Sequence, residues 1–93
     1  MGKYYDWNRE KSLRLFRERG VSFETLLPLL QKGEVVRITD NPNQERYPHQ
    51  RMYILFYEDY IYVVPFVEDD KKIFLKTIYR SRKLTRKYLN NEL

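Results

Sequence analysis

The chain has 93 residues, 42% hydrophobic and 16% aromatic, with a formal net charge of +5 and no cysteine. That length holds one core rather than two, and the apolar share closes it without a metal or a disulfide framework, so disulfides and thiolate metal sites are excluded and global disorder is disfavoured. No uncharged membrane-length run and no basic-then-apolar leader follows Met1, so the expectation is a single cytoplasmic domain over residues 1–93 with no membrane partner.

The N-terminal half reads as helical. After an apolar-aromatic start at Tyr4-Tyr5, Asn8 caps a helix running to about Arg19, with Leu13 and Phe16 at i, i+3 spacing and Gly20 as its stop. Ser22 caps a second helix, Glu24 complements its first-turn dipole, Val21 staples onto Leu26, and Gly33 ends it. Pro28 lies inside this segment, where it removes a backbone hydrogen bond, so a bent or shortened helix is expected.

From Glu34 the pattern turns extended. Val35 to Ile38 is a first strand, and the loop Asp40 to His49 carries two prolines and two asparagines. Arg51 to Tyr57 and Tyr60 to Val67 form a hairpin across Glu58-Asp59, and Pro65 requires an edge or a bulge because it has no N–H to donate. A turn at Glu68-Asp69-Asp70-Lys71 leads to a strand from Ile73 to Tyr79. Ser81 or Arg82 then opens a final helix through Leu89, with Leu84 and Tyr88 pointing inward. The sum is an α+β domain: an antiparallel sheet against two N-terminal helices, closed by a C-terminal helix.

The charge is local. Residues 76–93 carry Lys76, Arg80, Arg82, Lys83, Arg86 and Lys87 against Glu92 alone, whereas residues 51–75 are net negative. A concentrated positive field of this kind attracts a polyanion or an acidic protein. No dinucleotide fingerprint, phosphate loop or His/Cys ligand set is present, so neither a cofactor nor a metal is expected.

Trp7, Lys11 and the run Gly20-Val21-Ser22-Phe23-Glu24, followed by Arg51 and by Arg82, Lys83 and Thr85, form a pattern that resembles the BrnT family of ribonuclease toxins. The resemblance spans nearly the whole chain, and only the Gly-Val-Ser-Phe-Glu run is sharp. It implies a RelE-like fold, metal-independent cleavage of mRNA, neutralisation by a cognate antitoxin and operator DNA contact through that antitoxin. Where the family usually has Lys-His before the glycine this chain has Glu18-Arg19, and Leu15 replaces an asparagine.

Metal-free RNA cleavage needs a group to deprotonate a 2′-hydroxyl, a group to protonate the leaving oxygen, and cations for the phosphorane. Arginine cannot serve as the base, so Arg51, Arg80 and Arg82 are expected as phosphate clamps, joined in a catalytic set by Lys76 and Tyr79. Lys11, Arg14, His49, Lys83 and Arg86 are expected to extend RNA binding, and Lys3 could lengthen the same track. His49, the sole histidine, has the chemistry of a general acid or base, but it sits in a loop with no carboxylate nearby in sequence. Tyr53, Tyr57, Tyr60 and Tyr62 are either core or a stacking platform for bases. Two other classes fit the same surface: a non-catalytic RNA- or DNA-binding module, and an interaction subunit for an acidic partner.

Overall fold

The computed structural model describes residues 2–93. Elements run β1 (Tyr4–Trp7), α1 (Arg9–Arg19), α2 (Phe23–Gln31), β2 (Arg37–Asp40), β3 (Arg51–Tyr57), β4 (Tyr60–Glu68), β5 (Lys72–Leu75), β6 (Tyr79–Arg80) and α3 (Arg82–Leu89). The result is a mixed α+β fold of one six-stranded sheet and three helices. Among the described residues no helix is long and apolar enough to cross a membrane.

Local chemistry sets the helix ends. The Asn8 side chain accepts from the Lys11 N–H at 2.9 Å, and Gly20 at φ 77° closes α1 by donating to the Phe16 carbonyl. The inward face of α1 is Ser12 and Leu15, and Leu13 and Phe16 face solvent, 62% and 56% exposed. Ser22 caps α2 with Thr25 as its reciprocal partner. Pro28 is accommodated inside α2, which stops at Gln31, short of Gly33.

The strand order is β1-β5-β4-β3-β2, with β6 also paired to β4. The sheet departs from the all-antiparallel expectation: β1, which the sequence pattern did not mark as a strand, pairs parallel with β5, from Tyr4 opposite Lys72 to Trp7 opposite Leu75. The strand expected at Val35–Ile38 lies two residues later, at Arg37–Asp40, although Val36 already donates to the Ile54 carbonyl. The hairpin turn is Glu58-Asp59, both left-handed at φ 46° and 71°, which is the twist a two-residue connection demands.

The register sorts the core. Tyr53, Leu55, Tyr62, Val64 and Phe66 share the sheet face covered by α1 and α2, where they pack with Leu15, Phe23, Leu26 and Leu30. Ile54, Ile61 and Val63 occupy the opposite face under α3, against Leu84 and Tyr88. Tyr53 stacks on Phe66 at 4.2 Å between centroids, so this tyrosine is core and not a base platform.

Candidate functional site

The site begins with Pro65. Alternate residues of β4 aim their backbone groups away from β3, and on that side Ile61 and Pro65 carbonyls accept from Ser81 and Lys76 N–H groups, the latter at 2.8 Å. Pro65 has no N–H to offer there. The partner strand answers with a break: Leu75 pairs with Phe66 and Tyr79 with Val63, so the partner uses one residue more than β4 across the gap. The continuous strand expected from Ile73 to Tyr79 is therefore two strands separated by a bulge, and β4 is an inner strand rather than an edge.

The bulge presents Lys76, Thr77 and Tyr79 to a cleft of about 730 Å³. Its floor is the part of the sheet lined by Met52, Pro65 and Val67, and its far wall is the 41–50 loop with Tyr47, Pro48 and Gln50. That loop is tied down by one amide: Gln44 Nε2 donates to the carbonyls of Asn41 and Gln50, and Gln44 Oε1 accepts from the His49 N–H at 3.1 Å. Lys11 of α1 completes the lining. The α1 helix is anchored beside the bulge because the Arg19 guanidinium donates to the Ile78 carbonyl.

Charge accumulates at this opening. Partial burial and then the neighbouring Arg14, Lys76 and Arg19 cations hold the Lys11 ammonium below its ordinary 10.5. Burial raises the Tyr79 phenol, which stays protonated and donates only to the weak Met52 Sδ acceptor at 3.8 Å. Two cations, a phenolic donor and two half-exposed tyrosine rings in one concavity suit a phosphate and its attached base.

The residues expected to act together divide between surfaces. Lys76, Tyr79 and Lys11 meet in the cleft. Arg51 belongs to the α1/α2 side of the sheet and is engaged by Asp40 at 3.5 Å and Glu68 at 3.8 Å, while Lys3 pairs with the same Glu68 at 2.9 Å. Arg80 lies 4.8 Å from the Tyr60 ring centre, and Tyr60, Arg82 and Arg86 line a separate shallow groove. Arg14 lies in another shallow groove on the outer face of α1, and Lys83 is exposed on α3. His49 takes φ 62° in the loop, is exposed, and does not line the cleft.

Sequence reasoning did not mark Gln50, Asn41, Thr77 or Arg19. Only the fold shows that Gln50, 8% exposed, is a cleft residue at the end of the loop. Among the described residues no group of three His, Cys, Asp or Glu side chains could hold a metal ion. No family model, no curated protein and no solved structure matches the chain.

Proposed function

We propose that the chain is a metal-independent endoribonuclease toxin with a RelE-like fold, held in check by a cognate antitoxin, as the BrnT resemblance implies. The observation that supports it is the convergence of Lys11, Lys76 and Tyr79 on one cleft from α1 and from the β5–β6 bulge. The 2′-hydroxyl of a bound ribonucleotide attacks the adjacent phosphorus, the 5′-oxygen leaves, and a 2′,3′-cyclic phosphate and a 5′-hydroxyl result. Lys11, whose lowered proton affinity enlarges its neutral fraction, takes the 2′-hydroxyl proton as the amine and returns it as the ammonium to the departing 5′-oxygen. Lys76 holds the phosphorane charge, and the Tyr79 hydroxyl, released from Met52, donates to a phosphoryl oxygen. The test is incubation of the purified chain with single-stranded RNA in EDTA. Scission with cyclic-phosphate ends is expected; intact RNA over prolonged incubation removes the enzyme reading.

A second, non-catalytic reading has its own support. The Tyr60, Arg80, Arg82 and Arg86 surface offers cations and an exposed ring but no group suited to proton transfer, which is the composition of a strand-binding track. In the nuclease reading this surface holds the RNA beyond the cleft.

A further inference from the structure

Gln50 is held in one orientation by a relay that starts at the backbone. The Asn43 N–H can only donate, and it donates to Asn41 Oδ1 at 2.8 Å, which fixes the other end of the Asn41 amide as a donor. Asn41 Nδ2 in turn donates to Gln50 Oε1 at 2.8 Å, so the Gln50 amide is fixed with its oxygen occupied. Gln50 Nε2 makes no hydrogen bond with the described residues, yet none of their buried side-chain nitrogens or oxygens lacks a partner. The Nε2 group is therefore not sealed off, and the residue that carries it, otherwise buried, lines the cleft.

A side chain presenting only N–H donors selects an acceptor. Beside it stand the rings of Tyr47 and Tyr79, on which a base can stack, and the ammonium groups of Lys11 and Lys76 for the phosphate. The geometry points to the cleft being a nucleotide subsite that reads a keto base, uracil or guanine, through its exocyclic carbonyl and rejects cytosine and adenine, whose amino group there would meet the Gln50 donors. This specificity rests on the RNA reading above, and the cleft volume of about 730 Å³ lies in the range of small-ligand sites.

The test uses the full chain with 2′-fluoro hexauridylate and hexacytidylate, which lack the attacking hydroxyl and cannot be cleaved. Uracil and cytosine differ here by a carbonyl against an amino group. Fluorescence anisotropy is expected to show the uridylate binding about tenfold more tightly, the scale of one matched hydrogen bond against a donor–donor clash. Gln50→Glu keeps an oxygen for Asn41 and turns the donors into an acceptor, so the order reverses. Asn41→Ala frees the amide to flip and erases the preference while both oligonucleotides still bind. Equal binding by the wild-type chain, no binding of either oligonucleotide, or a uridylate preference surviving in Gln50→Glu overturns the inference. RNA scission in EDTA with equal hexamer binding would sink this specificity and spare the nuclease. A uridylate preference without scission does the reverse.

Discussion

The Trp7 indole N–H donates to Glu24 Oε2 at 3.1 Å, joining the end of β1 to the first turn of α2. Ser12 Oγ donates to the other oxygen of the same carboxylate and accepts from the Phe23 N–H at 3.0 Å, so α1 enters the junction too. Several residues that carry the BrnT resemblance thus have architectural work: Trp7 and Glu24 as this junction, Gly20 as a left-handed cap, Ser22 as a cap, and Val21 and Phe23 as core. Lys11 alone among the N-terminal matches reaches the cleft.

Glu24→Gln is expected to cost about 1 kcal/mol at neutral pH, a figure already discounted for the solvent exposure of the carboxylate. Burial by itself would raise the Glu24 carboxyl, but bonds from Ser12, its own backbone and Trp7 outweigh it and hold the group below its ordinary 4.5. A depressed carboxylate contributes stability that is complete above the ordinary value and lost as pH falls through the folded one. Urea titrations of both chains should therefore differ at neutral pH and converge in acid. A gap that widens in acid rejects the account.

The division of cations between surfaces predicts distinct kinetic signatures. In the nuclease reading, Lys76→Ala removes charge at the reacting phosphate and should lower kcat by about 10²-fold or more. Arg82→Ala, outside the cleft, should raise KM and leave kcat nearly unchanged. Arg51→Ala should do little to either, because Asp40 and Glu68 already engage that guanidinium. Steady-state cleavage of a short RNA measures all three, and a kcat collapse confined to Arg82→Ala would return the centre to the C-terminal helix.

The sequence made the hairpin, the caps and α3 legible because each is written in adjacent residues: Asn8, Ser22, Glu58-Asp59 and Ser81 act within their own turn. Strand β1 was not legible, since Tyr4 to Trp7 become a strand only through parallel partners at Lys72 to Leu75. Leu13 and Phe16 misled for a related reason. Their spacing is that of an inward face, but the junction with Glu24 requires Ser12 inside, and that rotation turns Leu13 and Phe16 to solvent. In the site, Lys76 and Tyr79 were marked by charge and neighbourhood, whereas Gln50 owes its place to the bonds of Asn41 and Gln44 and carries no signal in the primary pattern.

Thr85 ties α3 to the sheet. Its hydroxyl accepts from the Ile61 N–H at 2.8 Å and donates to the Ser81 carbonyl at 2.7 Å, while the residue is buried. Thr85→Val keeps the shape and strands the Ile61 N–H, costing about 1–3 kcal/mol. Thr85→Ser retains the hydroxyl and should recover most of the loss. Thermal unfolding of the three proteins decides it, and a stable valine variant would show that α3 is held by Leu84 and Tyr88 packing alone.

If the cleft binds RNA as proposed, Lys11 gives that affinity a pH dependence whose direction is fixed. Its ammonium binds phosphate only while charged, and burial with Arg14, Lys76 and Arg19 nearby already holds it below 10.5. Raising pH through that lowered value discharges Lys11 before ordinary lysines, so affinity for a non-cleavable single strand should begin to fall at a lower pH than ordinary lysines alone would set. Binding there should be accompanied by proton uptake, because the phosphate restores the charged form. Lys11→Arg stays charged throughout and should bind with a flat profile over the same range. Lys11→Met should be weaker at neutral pH, equally flat, and show a slope of log affinity against log salt shallower by about 0.7, the share of one phosphate contact on a single strand. Loss of affinity in alkaline buffer that persists unchanged in Lys11→Arg would assign the titration to another group and remove Lys11 from the phosphate site.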